Sequence, residues 1–88
     1  IEQNYPNPFN PTTTIRFGLP EPSDVQLDVY NMTGQHVVTL VSRRLNAGLH
    51  SITWDGKDET GKTVASGVYL YRLVTEKFID AKRMVLMK

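Results

Sequence analysis

The sequence contains no cysteine, so none of its 88 residues can supply a disulfide, a thiolate zinc ligand, a thiol nucleophile or an iron–sulfur cluster. Stability has to come from packing. The same absence leaves the compartment open, because reducing cytoplasm and disulfide-free secreted domains both accommodate it. Long hydrophobic runs are missing too. The longest, Val68-Tyr69-Leu70-Tyr71 and Met84-Val85-Leu86-Met87, fall far short of the ~18 residues of a membrane helix, and no membrane span is expected. The first residues, Ile1-Glu2-Gln3-Asn4-Tyr5-Pro6, have neither a basic start nor an apolar h-region and read as a domain start, not as a signal peptide. On that reading any export signal would lie on another part of a longer protein.

Signatures of catalysis are equally scarce. No serine lies in a G-x-S-x-G elbow, and neither a G-x-G-x-x-G nor a P-loop occurs. A chain this short buries roughly 60–65% of its unfolded surface, which leaves little room for a deep, water-excluding active site. We expect one domain, no enzyme and no cofactor. Charge of one sign is not in excess, with ten basic residues against nine acidic and a net charge of +1. Only the end is locally basic, where Lys82, Arg83 and Lys88 have no neighbouring acid after Asp80. Nucleic-acid binding demands a broader positive footprint with stacking aromatics or a reading helix, so no nucleic-acid partner is expected.

What is present is a strand pattern. All five prolines fall at or before Pro22, and Pro6, Pro8 and Pro11 favour an extended, semi-rigid lead-in over residues 1–11. From residue 12 to 88, β-branched and aromatic stretches alternate with polar residues, broken by Gly, Asn and Asp clusters about every ten residues. The spacing predicts strands over about 12–19, with Ile15, Phe17 and Leu19 on one face, and over 24–30, with Val25, Leu27 and Val29 on one face. Asn31-Met32-Thr33-Gly34 carries turn residues, with Gly34 at the positive-φ position, and leads into a third strand over 35–41. A fourth covers 49–54, with Ile52 and Trp54 on one face. Val64-Ala65 forms a short fifth, and 68–75 is the strongest strand. A tight turn near Glu76-Lys77 then returns the chain through Phe78 to Met87. In the 68–75 strand Tyr69, Tyr71 and Leu73 oppose Val68, Leu70, Arg72 and Val74; both faces are partly apolar. The strand should lie centrally in its sheet, and periodicity does not say which face meets the core. Six or seven strands without helical periodicity point to an all-β, immunoglobulin-like antiparallel β-sandwich.

Candidate chemistry is weak by comparison. Asp55, Asp58 and Glu59 lie close together in a polar loop, as calcium ligands would, but Lys57 occupies a place where another oxygen is wanted, and a structural turn is the better account. His36 and His50 lack a Cys partner or an H-x-x-x-H spacing, so a metal site is not expected. Asn31-Met32-Thr33 matches a glycosylation acceptor but spells a hairpin turn equally well. Trp54, Tyr69 and Tyr71 could form a sugar-binding platform; core or sheet-face packing is the commoner use of such rings.

Asn4-Tyr5-Pro6-Asn7-Pro8-Phe9-Asn10-Pro11-Thr12-Thr13-Thr14-Ile15-Arg16-Phe17 closely resembles the opening of C-terminal sorting domains of the bacterial type IX secretion system. The resemblance continues through Val29 to Gln35, Trp54 to Asp58, Gly67 to Leu73 and Lys82 to Lys88, essentially the whole chain. Trp54-Asp55-Gly56 and Gly67-Val68-Tyr69-Leu70-Tyr71-Arg72 are also similar to the Ig-like domain of flagellar hook-capping proteins.

The sorting-domain resemblance implies a non-catalytic module at the C-terminus of a larger secreted cargo protein. Its partners would be the type IX outer-membrane translocon and a sortase-like peptidase. Its location would be the periplasm in transit, then the cell surface or the medium. Gly67 and Tyr69 match the family's Gly-x-Tyr motif. Together with Lys82, Arg83 and Lys88 on a terminal strand able to pair by strand addition, they are the candidate translocon-recognition residues. The hook-cap resemblance implies instead a structural or adhesive module binding a protein partner or a cell-surface polysaccharide.

Overall fold

A computed structural model describes residues 1–87; Lys88, one of the candidate recognition residues, lies outside them. Six strands form: β1 (Thr13–Leu19), β2 (Ser23–Asn31), β3 (His36–Leu45), β4 (Gly48–Trp54), β5 (Gly67–Val74) and β6 (Ile79–Leu86). Among the described residues there is no helix. A two-stranded sheet of β1 and β4 faces a four-stranded sheet ordered β3-β2-β5-β6, and every strand pair is antiparallel. This is the immunoglobulin-like sandwich that the sequence pattern predicts.

The alternating residues build the core. Ile15, Phe17 and Leu19 from β1 meet Val25, Leu27 and Val29 from β2 and Tyr69, Tyr71 and Leu73 from β5, all buried. This settles the face of β5, which is central in its sheet, between β2 and β6. Met84 and Leu86 complete the floor from β6, and Trp54 closes one end from β4. Burying a side chain of this size contributes about 1.5–3 kcal/mol of transfer free energy.

The turns follow their residue types. Asn31 holds the β2–β3 hairpin: its carboxamide oxygen accepts from Thr33 N, Thr33 Oγ1 and Gln35 N at 3.1, 2.8 and 2.9 Å. Gly34 turns the chain at φ +85°. The glycosylation-like triplet is thus a working turn. In the β5–β6 turn, Thr75 Oγ1 accepts from Lys77 N and Phe78 N.

Three features differ from the sequence reading. No strand forms at Val64-Ala65, because that loop bonds to itself: Asp58 N donates to Lys62 O and Val64 N to Gly56 O, leaving a single bridge between Lys57 and Thr63. β3 runs on through Ser42, Arg43 and Arg44 to Leu45, an edge strand whose exposed end is polar; bulges opposite Leu27/Asp28 and Val29/Tyr30 blur its alternation. Most consequentially, residues 1–9 do not lead up to the sandwich but are packed into it. Phe9 is only 2% exposed, with its ring 5.7 Å from that of Trp54, and Asn4 is buried as well.

Candidate functional site

The proline-rich segment is not the extended lead-in that its prolines suggest: it bends over residues 6–8 and 10–11, with cis peptide bonds before Pro6, Pro8 and Pro11, and it bonds to both sheets. Glu2 N donates to Arg16 O, and Tyr5 and Thr14 exchange a pair of 2.9 Å bonds, so the outer edge of β1 is taken. Phe9 N then donates to Val85 O, Met87 N donates to Phe9 O, and Val85 N donates to Asn7 Oδ1, each at 2.9 Å. Gln3 Nε2 donates to Arg83 O, and Ala81 N finds the carboxylate of Asp80. The clasp described next therefore covers the outer edge of β6 over its second half, from Arg83 O to Met87 N. We call residues 1–9 the clasp, since they join the β1 edge of one sheet to the β6 edge of the other.

Buried polar groups fix the clasp in place. The Tyr71 hydroxyl donates to Glu2 O at 2.7 Å and accepts from Asn4 N at 2.8 Å. Burial pushes the Tyr71 phenol up to about 12. Asn4 Nδ2 donates to Thr13 Oγ1, and Thr13 Oγ1 donates in turn to Pro6 O. Left unmade, such buried bonds would each cost about 1–3 kcal/mol.

The clasp covers part of the edge expected to be free on the last strand. Beside Val85 and Met87, strand addition would have to displace residues 7–9. The structure brings four candidate residues onto one hairpin, with Gly67 opposite Leu86, Tyr69 opposite Met84, Leu70 opposite Arg83 and Tyr71 opposite Lys82. It does not unite them on one surface. Lys82 shares the face of Met84 and Leu86 and is half-buried, whereas Arg83 is exposed on the opposite face.

Tyr69, 7% exposed, crosses the core to stand edge-on to Trp54 at 5.4 Å. Its hydroxyl donates to Ala65 O at 2.6 Å, and burial raises its phenol above the ordinary range. Ring and hydroxyl are both used inside the fold, where Tyr69 holds the loop before β5. Gly67 follows that loop at φ +153°, a backbone conformation that side chains rarely adopt, although a Cβ there would meet open space.

The acidic loop is organised as turns. Asp58 Oδ1 accepts from Thr60 Oγ1 at 2.6 Å, Thr60 N at 2.9 Å and Lys62 N at 3.1 Å, and the Thr60 hydroxyl above all holds its carboxyl below the usual range. Asp55 Oδ1 accepts from Lys57 N, while Glu59 Oε1 reaches across to Thr39 N. The three carboxylates diverge to separate donors. The histidines also separate: His36 Nε2 lies 3.2 Å from Asp28 and 3.0 Å from Thr39 on the outer sheet face, while His50 stacks on Phe17 and its Nε2 donates to Asn46 O.

Sequence reasoning passed over one surface. On the outer face of the four-stranded sheet, Arg72 lies 5.0 Å over the Tyr30 ring and donates to its hydroxyl at 2.7 Å. Beside it a shallow depression of about 320 Å³ is lined by Tyr30, Met32, Leu70, Arg72 and Ala81, among others. The available signal was the second apolar face of β5.

Comparison with known proteins places this geometry in a family. Residues 4–77, beginning inside the clasp and ending after β5, match the FlgD Ig-like domain. The chain belongs to the FlgD Ig-like domain family. The basal-body rod modification protein FlgD of Salmonella typhimurium is 43% identical over 61 residues, which is 66% of this chain and 26% of that protein; FlgD of Salmonella typhi matches equally. The chain thus spans about a quarter of the length of these relatives.

Among solved structures, FlgD from P. aeruginosa is 27% identical, with a TM-score of 0.67 over 84% of this chain and 58% of that one. Dimeric latent PorU from Porphyromonas gingivalis superposes with a TM-score of 0.76 over 97% of this chain and 9% of its own, at 23% identity. PorZ, described as an essential bacterial surface component of the type-IX secretion system of the same organism, reaches 0.68 over 98% of this chain and 11% of its own, also at 23% identity. At that identity PorU and PorZ share the fold of this FlgD-type Ig-like domain, and the likeness says no more.

Proposed function

We propose that this Ig-like domain is a non-catalytic C-terminal module that directs a larger secreted protein across the outer membrane by type IX secretion and on to the cell surface. The observation that carries the reading is the clasp. The Asn4-to-Phe17 stretch that resembles sorting-domain openings is the segment that closes both sheet edges, so the motif is built into the fold it would advertise. The same fold also occurs in PorZ, a component of a type-IX secretion system, which is compatible with this reading. A folded address needs only a rigid scaffold and a readable surface, and its partners would be the translocon, a sortase-like peptidase and the cargo joined to it.

A second reading is favoured by the 43% identity to FlgD. Here the domain is a structural Ig-like module in a flagellar hook-capping assembly, or an adhesive module binding a protein or polysaccharide directly. Fractionation of a periplasm-targeted fluorescent reporter, with and without residues 1–88 at its C-terminus, separates the two in a bacterium with a type IX system. The sorting reading predicts surface or medium localisation only with the module. A folded reporter retained in the periplasm whether or not it carries the module would overturn it and leave the structural reading standing.

A further inference from the structure

The outer face of the four-stranded sheet has the features of a recognition surface. A sheet face open to water ordinarily carries polar residues between the buried ones. On β5 the outward set is Val68, Leu70, Arg72 and Val74, apolar except for the arginine, with Val68 and Met32 both exposed. Neighbouring strands extend the pattern in register: Tyr30, Leu70 and Arg83 form one row, Asp28, Arg72 and Ala81 the next, and Val68 stands opposite Val85. The depression beside Arg72 makes this floor concave.

The exposed charges in these rows are basic. Arg72 is held over Tyr30 and Arg83 is exposed, and among the described residues neither takes part in an ion pair. The one carboxylate in those rows, Asp28, is only 4% exposed and accepts from Thr39 Oγ1 at 2.6 Å and Gln26 Nε2 at 3.1 Å. It also lies 3.2 Å from His36 and stands opposite Arg72 in register on the same face, while Arg83, one row away, is exposed. A guanidinium held in place at Arg72 and an exposed one at Arg83, beside an apolar floor, match carboxylates, which such groups bind in bidentate fashion, and Arg and Tyr are residues that dominate interface energies. Two cations with no free stacking ring are too few for a nucleic-acid backbone.

We propose that this face, centred on Leu70 between Arg72 and Arg83, is the surface on which the module is recognised, and that its partner is a protein surface whose carboxylates flank an apolar contact. The inference rests on the sorting reading and moves its recognition site from the partly covered β6 edge to the sheet face.

The test uses the reporter bearing residues 1–88 in a type IX host. The double variant Arg72→Glu, Arg83→Glu is compared with Lys62→Glu, Lys77→Glu, an equal charge change on loops away from this face. The surface fraction should fall by about tenfold or more in the first and stay unchanged in the second. Melting of the purified proteins checks folding, and Arg72→Gln, Arg83→Gln decides the matter if the Glu pair does not fold. Export of the arginine variants at the unchanged level, while a reporter without the module is retained, overturns this inference and leaves the sorting reading intact. Export of the reporter without the module overturns both. A photo-crosslinker at Val68 should yield a protease-sensitive adduct that the Glu pair abolishes; a protease-resistant glycan adduct would contradict the protein partner.

Discussion

The two long sides of the sandwich are finished in different ways. On one side the clasp bonds to the outer edges of β1 and of the second half of β6, and its own Phe9 is buried with Trp54, Leu86 and Met84. On the other, among the described residues, β4 pairs with β1 alone, and the outer edge of β3 receives only Glu59, whose backbone N donates to Val37 O and whose carboxylate accepts from Thr39 N. Along β4 itself the consequence is graded. Trp54, at the clasped end, is 1% exposed, whereas Ile52 and His50, on the same inward face, are only half-buried; Leu49, 88% exposed, is on the outward face. Burial in this domain is thus decided by which segment of chain covers a position as much as by the residue at that position.

The largest effect expected from this contrast follows truncation of the clasp anchor. Phe9→Ala should cost about 3–5 kcal/mol in urea unfolding, the range for losing a buried phenylalanine. A cost near zero would mean that Phe9 does not belong to the core. Smaller is the loss for Asn4→Ala, about 1–3 kcal/mol, since Thr13 Oγ1 then loses a buried partner. Gly67→Ala should cost about 1–3 kcal/mol through its φ of +153° alone, because the added methyl meets no atom. On the bare side, Leu49→Lys should stay within about 0.5 kcal/mol of the unchanged protein and should reduce any edge-to-edge association seen by light scattering.

The clasp also predicts a pH dependence with a definite sign. The Tyr71 phenol titrates near 10.0 when unfolded and about 12 when buried under Glu2 and Asn4. Its folded value is raised, so its contribution is complete below pH 10 and is lost as pH climbs toward 12. Stability followed by denaturant titration should fall through that window, and Tyr71→Phe should flatten the fall while lowering stability at neutral pH. An equally steep alkaline decline in Tyr71→Phe would assign it to other groups.

Much of the fold was legible because its strands obey a period of two. Ile15, Phe17 and Leu19, or Val25, Leu27 and Val29, announce a half-buried strand, and Asn31 with Gly34 announces its turn. The clasp was not legible. Phe9 sits among prolines, where no periodicity marks a buried face, and its partners on β6 lie far along the chain. The extension of β3 was hidden for the opposite reason, since Ser42, Arg43 and Arg44 form a strand that exposes their side chains. Of the candidate site, Gly67 could be read as a backbone requirement, but Tyr69 could not be told from a surface ring until Trp54 was placed against it. The Arg72 and Arg83 face was visible only as an ambiguity, a strand apolar on both sides.

The most direct test of the clasp is hydrogen exchange at the Val85 and Met87 amides, whose only partners lie in residues 7–9. The account predicts protection close to that of the central β5 amides, lost in Phe9→Ala while the β5–β6 hairpin amides keep a larger share of theirs. Exchange of Val85 and Met87 in the unchanged protein at the rate of exposed loops would show a proline-rich segment that merely precedes the sandwich, and would contradict the account.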